Sequence, residues 1–215
     1  MATANQTSIG VGLIVCSTRK PRACPQIAQF VLDTIQSMET NAANTVPVPQ
    51  LIDLAEWNLP MFDESDIPSQ IKDSSQYDHP HTREWSKEVQ RYNAFIFVVP
   101  QYNWGYPAVI KNAIDYLYHE WNGKPAIVVS YGGHGGGKCN KQLREVLQGV
   151  RMSPISSNVE LTFPWRDVLV KAARGQDIGF AASTGPGFWE DERKIIADAY
   201  MELLQVLSHG VCPNV

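Results

Sequence analysis

Ala94-Phe95-Ile96-Phe97-Val98-Val99, followed by Pro100-Gln101-Tyr102-Asn103-Trp104-Gly105-Tyr106-Pro107, decides how this chain is read. Six apolar residues without polar alternation describe a strand covered on both faces, as in a parallel sheet flanked by helices. The loop breaks the run, and Pro107 suits the first turn of a helix, where a missing N–H is no loss. Ile110, Ala113, Ile114 and Leu117 fall on one face of that helix, which is expected to stop before Asn122-Gly123.

The same unit recurs on either side. Ile9 to Val15 reads as a buried strand, Ser17 to Arg22 as a polar turn, and Ile27, Ala28, Val31, Leu32 and Ile35 as the inner face of a helix. Val46 to Leu54 is a second strand, placed at an edge by Pro47 and Pro49. An apolar loop, Trp57 to Glu64, follows it and should pack onto something; Asp63, Glu64 and Asp66 read as solvated. His79 to Arg91 is a helix with Trp85, Val89 and Tyr92 on one side. Ala126 to Ser130 is another buried strand, followed by glycines and a helix bearing Leu143, Val146, Leu147 and Val150. A last strand lies within Met152 to Phe163, and a last helix from Trp189 to Leu207 buries Ile196, Ala199, Leu203 and Leu207.

Five alternations of strand and helix argue for one domain over residues 1–215: a five-stranded parallel sheet with helices on both faces, a three-layer α/β/α arrangement. Residues 164–188 do not fit a minimal unit. A short helix near Asp167 to Ala173 is expected there, then an irregular stretch that contacts a partner subunit.

Composition narrows the function. The 215 residues are 44% hydrophobic and 19% charged, enough for a sizeable core, and a net charge of −4 gives no electrostatic reason to expect nucleic acid. The polar start and the short first apolar run predict no signal peptide, and no apolar run reaches membrane-spanning length, so a cytoplasmic protein without a membrane partner is expected. Cys16, Cys24, Cys139 and Cys212 are scattered, without C-x-x-C or zinc spacing, which predicts reduced thiols and no metal site.

In open α/β sheets, ligands bind beyond the carboxyl ends of the strands, where strand order reverses. Three such loops have unusual composition. The first carries Ser17, Thr18 and Arg19 ahead of a helix start, whose unpaired N–H groups and dipole favour a phosphate; the same hydroxyls also serve as ordinary caps. Without G-x-G-x-x-G it suits a terminal monophosphate better than a pyrophosphate. The second, Pro100 to Tyr106, sets aromatic surface beside amides, which a flavin ring requires; Tyr102, Trp104 and Tyr106 could equally cover the sheet end. The third, Ser130-Tyr131-Gly132-Gly133-His134-Gly135-Gly136-Gly137, lets backbone approach a planar ligand, with His134 either bonding it or idle. Gly132 to Lys138 matches G-x-x-x-x-G-K, but Cys139 stands where a magnesium-binding Ser or Thr belongs. There is no G-x-S-x-G elbow, and His119-Glu120 leads to Gly123 where a zinc protease needs His.

Ser17-Thr18-Arg19, the string Pro100 to Leu117, and Ser130 to Gly136 together resemble the NADPH-dependent FMN reductase family, over about Ile9 to Val150; Leu59 to Glu64 also looks like a segment of that family. The resemblance implies a flavodoxin-like fold, one FMN per chain, NADPH or NADH as co-substrate, and homodimers or homotetramers with flavin near a subunit interface. By position, Ser17, Arg19, Cys24, Gln26 and Ile27 would hold the phosphate, the last three through the helix start. Pro100, Gln101, Tyr102, Asn103 and Trp104 would meet the isoalloxazine from one side, and Ser130, Tyr131, Gly132, Gly133 and His134 from the other. Many members have Glu where Gln101 stands. Hydride chemistry carried by the cofactor needs no general base, only stacking and dipoles, with backbone N–H groups of the Gln101 and Gly132 loops as candidates. The expected acceptor is a small molecule: a quinone, free flavin or azo compound. An FMN-binding electron carrier or regulatory module that acts through a protein partner is the alternative.

Overall fold

The strands that the sequence marks as fully apolar form the centre of the sheet. In the computed structural model, which describes residues 9–38, 46–180 and 187–209, β1 (Val11–Val15) and β3 (Ala94–Pro100) are buried along their whole length. β1 pairs with β3 on one side and with β2 (Gln50–Asp53) on the other; β3 pairs with β4 (Pro125–Gly132), and every pairing is parallel. β2 is the edge strand, as expected; Pro47 and Pro49, which have no N–H for a ladder, lie before its first residue, so it is shorter than the expected Val46–Leu54.

The fifth position is split. β5 (Ser153–Pro154) and β6 (Val159–Thr162) both pair with β4, at its start and its end respectively. Between them the chain leaves the ladder after the Ile155 N–H bonds Ala126 O at 2.9 Å. Glu202 fixes the excursion, accepting the Ser156 and Ser157 amides at 2.7 and 3.3 Å and both hydroxyls. The order β2-β1-β3-β4-β5, with β6 also on β4, reverses direction between β1 and β3. That is the flavodoxin-like order, and its crevice opens at the reversal.

Helices cover both faces. α1 (Cys24–Met38) and α7 (Glu190–Ser208) lie over Leu13, Val15, Ile96 and Val98. α3 (Pro80–Gln90), α4 (Ala108–Asp115) and α5 (Gly137–Gly149) lie over Ile14, Phe95, Phe97 and Val99, with Trp85 and Trp121 buried between. α4 is shorter than its apolar spacing suggests. Ile114 O accepts both the Leu117 N–H, at 3.1 Å, and the Trp121 indole N–H, at 3.2 Å, so the chain tightens into turns and the helix ends at Asp115. One-turn α2 (Leu54–Trp57) is capped by Asp53, whose side chain accepts the Ala55 amide at 2.9 Å.

One expectation is corrected. Glu64 is not solvated: it is buried and accepts the Asp78 and His79 amides at 2.7 and 3.2 Å, because the apolar Trp57–Glu64 loop packs down on α4 and takes it inside. Within 164–188 the expected short helix forms, as α6 (Arg166–Ala173); residues 181–186, part of the expected irregular stretch, lie outside the described residues.

Gly12 shows how tightly β1 is enclosed. A Cβ there would meet two Phe95 ring carbons at 2.8 and 2.9 Å and Ile52 Cδ1 at 3.0 Å. Gly12→Ala should therefore lower stability by about 1–3 kcal/mol through overpacking, measured as a drop in urea midpoint at unchanged m-value.

Candidate functional site

The ladder continues past the strands and brings three loops together. The Cys16 amide donates to Val98 O at 3.0 Å, and the Gln101 amide to Tyr131 O at 3.0 Å, so the loops after β1, β3 and β4 leave the sheet side by side. A cleft of about 200 Å³ lies between them, lined by Arg19 and Ala23, by Pro100, Gln101 and Tyr102, and by Tyr131, Gly132 and Gly133.

The first loop is held at three points. Ser17, fully buried, shares a hydrogen bond of 2.7 Å with the Tyr102 hydroxyl, tying it to the second loop. Arg22 donates to Ser17 O and grips both oxygens of Asp53 at 2.8 and 2.6 Å; such a two-pronged pair is the stiffest charge contact available to side chains. The Cys24 thiol donates to Val98 O at 3.3 Å. Arg19 projects from this loop, exposed, onto the cleft. The first-turn amides of Cys24 and Gln26 have no helical acceptor, whereas the Ile27 amide is bonded to Ala23 O at 3.2 Å.

The second loop is a tight turn. Tyr102 and Gly105 exchange backbone bonds of 2.9 and 3.0 Å across Asn103 and Trp104, at φ 47° and 68°. Two consecutive positive φ values describe a type I′ turn. It leaves Trp104 58% exposed, with Lys138 Nζ 4.5 Å from its ring centroid. The third loop folds on Ser130, whose hydroxyl donates to Gly135 O at 2.9 Å. Gly135 and Gly136 sit at φ 72° and 79°, and a Cβ on Gly136 would come within 3.0 to 3.2 Å of Ser130 and the Tyr131 backbone. Gly136 offers no side chain to cap α5; Gln101 Oε1 does so from the second loop, accepting the Cys139 amide at 3.2 Å.

Of the residues singled out in the sequence, Arg19, Pro100, Gln101, Tyr102, Tyr131, Gly132 and Gly133 line the cleft. Ser17, Cys24 and Ser130 are buried beneath, bonded to the loops. Asn103, Trp104 and His134 are exposed outside the lining, and Ile27 is a core residue. The Gln26 side chain bonds Gln176 and Ile178. Of the backbone N–H groups of the Gln101 loop, expected as a set to face a ligand, those of Gln101 and Tyr102 are engaged within the protein.

The sequence reading missed the outer wall. Phe163 and, from α6, Leu169, Ala172 and Ala173 complete the lining. The signal was present, since Val168, Leu169 and Ala172 share one helical face after Phe163; their segment reads as a partner contact only while the cleft is out of view. Burial raises the pKa of Cys16, that of Tyr131, which also lies beside Cys24, and that of Cys24 itself, to about 12. The floor is thus uncharged at neutral pH. Among the described residues no group of three or more His, Cys, Asp or Glu could hold a metal, and no helix is long and apolar enough to cross a membrane.

Residues 9–164 match the family model described as NADPH-dependent FMN reductase. The chain belongs to that family. Within this FMN reductase family it is 52% identical over 147 residues to an NAD(P)H-dependent FMN reductase of Saccharomyces cerevisiae, covering 67% of this chain and 76% of that one. An NAD(P)H-dependent FMN reductase of Schizosaccharomyces pombe is 41% identical over 173 residues, 80% of this chain and 82% of the other. The structure of the flavoenzyme NAD(P)H:(acceptor) oxidoreductase FerB of Paracoccus denitrificans aligns over 92% of this chain and 98% of its own, with a TM-score of 0.60 at 20% identity. At that identity it supports the fold alone.

Buried thiols on this reductase should be inert. With the Cys24 and Cys139 pKa values at about 12, roughly one thiol in 10⁴ is ionised at pH 8, and only the thiolate attacks. In a Cys212→Ser variant, a chromogenic disulfide should titrate no thiol in the native protein at pH 8 and three after denaturation, one each from Cys16, Cys24 and Cys139. Rapid native labelling would show that the floor is open.

Proposed function

We infer that this chain is an FMN-dependent NAD(P)H oxidoreductase that passes reducing equivalents to a small acceptor such as a quinone, free flavin or azo compound. The observation that carries this reading is the convergence of Arg19, Tyr102 and Gly132–Gly133 on one cleft at the strand-order reversal. FMN, when bound, supplies the chemistry: it takes a hydride from the nicotinamide and gives it to the acceptor.

The residues present fit that cofactor. Arg19 and the first-turn amides of Cys24 and Gln26 would hold the phosphate, since a helix start and a guanidinium both favour an anion. Ser17 would orient the loop and offer its hydroxyl, at present shared with Tyr102. Pro100, Gln101 and Tyr102 on one side, and Tyr131, Gly132 and Gly133 on the other, would flank the ring system. The amides of Asn103, Trp104, Gly133 and His134 donate to no protein acceptor among the described residues; Gly133 lines the cleft, which makes its amide the dipole best placed to meet negative charge. No side chain need act as a general base.

Gly132 and Gly133 bring backbone without side chains to their part of one flank, beside Tyr131 and Phe163, which favours an enzyme that stacks a nicotinamide there over a carrier that encloses its flavin. A homodimer or homotetramer in the cytoplasm, using NADPH or NADH, completes the proposal.

Two measurements test it. Anaerobic NADPH should bleach the flavin absorbance of the reconstituted protein near 450 nm, on the order of that of any protein-bound FMN; an unbleached spectrum would refute pyridine-nucleotide turnover. Arg19→Ala should weaken FMN binding roughly 10- to 100-fold, the worth of one charge-assisted hydrogen bond of about 1.5–3 kcal/mol, while changing riboflavin binding little. Equal losses for both ligands would remove Arg19 from the phosphate site.

A further inference from the structure

The segment from Phe163 to Phe180 supplies one wall of the cleft through Phe163, Leu169, Ala172 and Ala173 and is fastened at its ends. At the first, Phe163 stacks on Trp189, with ring centroids 5.6 Å apart. At the other, Ile178 is buried and Phe180 stacks on Phe30 at 4.7 Å. Between these anchors α6 has only Val168 and Ala172 buried, a small apolar hold of the kind that marks locally opening elements. The helix leans on the third loop at Gly133, 3.7 Å from Leu169 Cδ2 when a Cβ is placed on the glycine. The turn after it rests on the first loop: Gly175 has φ +63°, and a Cβ there would meet Pro21 Cβ at 2.7 Å and the Arg22 N at 3.1 Å.

One polar side chain holds this strap to α1. Gln26 donates from Nε2 to Gln176 O at 3.0 Å and accepts the Ile178 amide on Oε1 at 3.1 Å. It thereby mimics a strand partner across 150 residues of sequence separation. With the strap in this position the cleft, which stays partly open to solvent, has a volume of about 200 Å³, below the roughly 300–1,000 Å³ of pockets that take drug-sized ligands. Room for a whole flavin mononucleotide between the walls therefore calls for α6 to move outward, while the closed position leaves part of it in solvent.

We propose that Gln26 is a positioning residue for the flavin reaction: by latching the Gln176–Ile178 turn it holds α6 across the cleft as a hinged wall. Its opening admits the cofactor, and its closed position limits the bulk of the acceptor. The proposal rests on reading the cleft as the FMN site. Gln26 acts through the strap, so its removal changes the population of the open wall and leaves the Arg19 contact in place.

The test compares wild-type protein with Gln26→Ala, a substitution that raises helix propensity at a half-exposed first-turn position. Trypsin should cut the variant after Lys171 and Arg174 about 10-fold faster than wild type, and FMN should slow the cut in both. FMN association, followed by quenching of flavin fluorescence, should accelerate by a similar factor, since binding passes through the open population. The ratio of kcat/KM for a two-ring naphthoquinone over a one-ring benzoquinone should rise. Gly175→Ala, which pushes the same turn off Pro21 without touching α1, should move all three readouts in the same direction. Unchanged cleavage and association rates in both variants, with FMN still bound, would overturn the latch. Failure of the wild-type protein to bind FMN would instead overturn the flavin reading on which the proposal rests.

Discussion

A single carbonyl organises the site: Val98 O accepts the Cys16 amide at 3.0 Å and the Cys24 thiol at 3.3 Å. The first bond extends β1 one residue beyond its paired strand, so that Ser17 leaves the sheet pointing at Tyr102. The second draws the start of α1 back to the same point, closing the intervening loop into an arch whose ends are fixed. Neither group can find water in the interior, and an unpaired buried donor costs about 1–3 kcal/mol, so the arch is held as firmly as the sheet. The Gln101 amide on Tyr131 O repeats the device between β3 and β4. Precision at the three loop starts is thus inherited from the parallel ladder.

The loops spend that rigidity on unusual backbone. An isolated Trp in the left-handed region costs roughly 1–2 kcal/mol, yet Trp104 sits there at φ 68° with its ring exposed. A type I′ turn matches the right-handed twist of its flanking chain, and the paired bonds between Tyr102 and Gly105 hold it. Strain of this kind persists only where the surroundings over-determine it, which is typical of ligand sites. Lys138 follows from the same placement. In a nucleotide-binding loop it would reach phosphates; here its ammonium lies over the Trp104 ring, a cation–π contact that stiffens the junction of the second and third loops.

Much of the layered fold was legible because burial on two faces leaves apolar runs such as Ala94 to Val99 with no polar residue to accommodate. Pro47 and Pro49 pointed to the edge position of β2, although both lie before its first residue, Gln50, and their missing N–H groups shorten the strand rather than place it. Other features were invisible for definable reasons. Pro154 and the serines after it give no hint that Glu202, on α7, would hold the chain off the ladder, since that contact spans 45 and 46 residues. Gln101 looked like a ligand-facing amide because its neighbours are aromatic. Its oxygen is used on the Cys139 amide because glycine at the start of α5 brings no cap of its own. Arg22 carried no motif, and its importance lies in Asp53, which is distant in sequence and adjacent only once β2 is paired.

Charge explains why such a site can sit in an acidic chain. With a net charge of −4, long-range attraction offers a phosphate nothing, so binding must come from within hydrogen-bond reach, where screening is weakest. The neutral floor matters for that reason. A thiolate at Cys24 or a phenolate at Tyr131 would oppose an anion directly above, and burial keeps both protonated. The Arg22 charge is matched by Asp53 at 2.6 Å, which leaves Arg19, on the cleft, and the exposed Lys20 beside it as the cations of the first loop without an ion pair among the described residues. On the proposed reading, a helix start, one free guanidinium and an uncharged floor would form a local well for a dianion inside a repulsive molecule, a contrast that suits a ligand presenting its charge at one end and a flat apolar surface at the other.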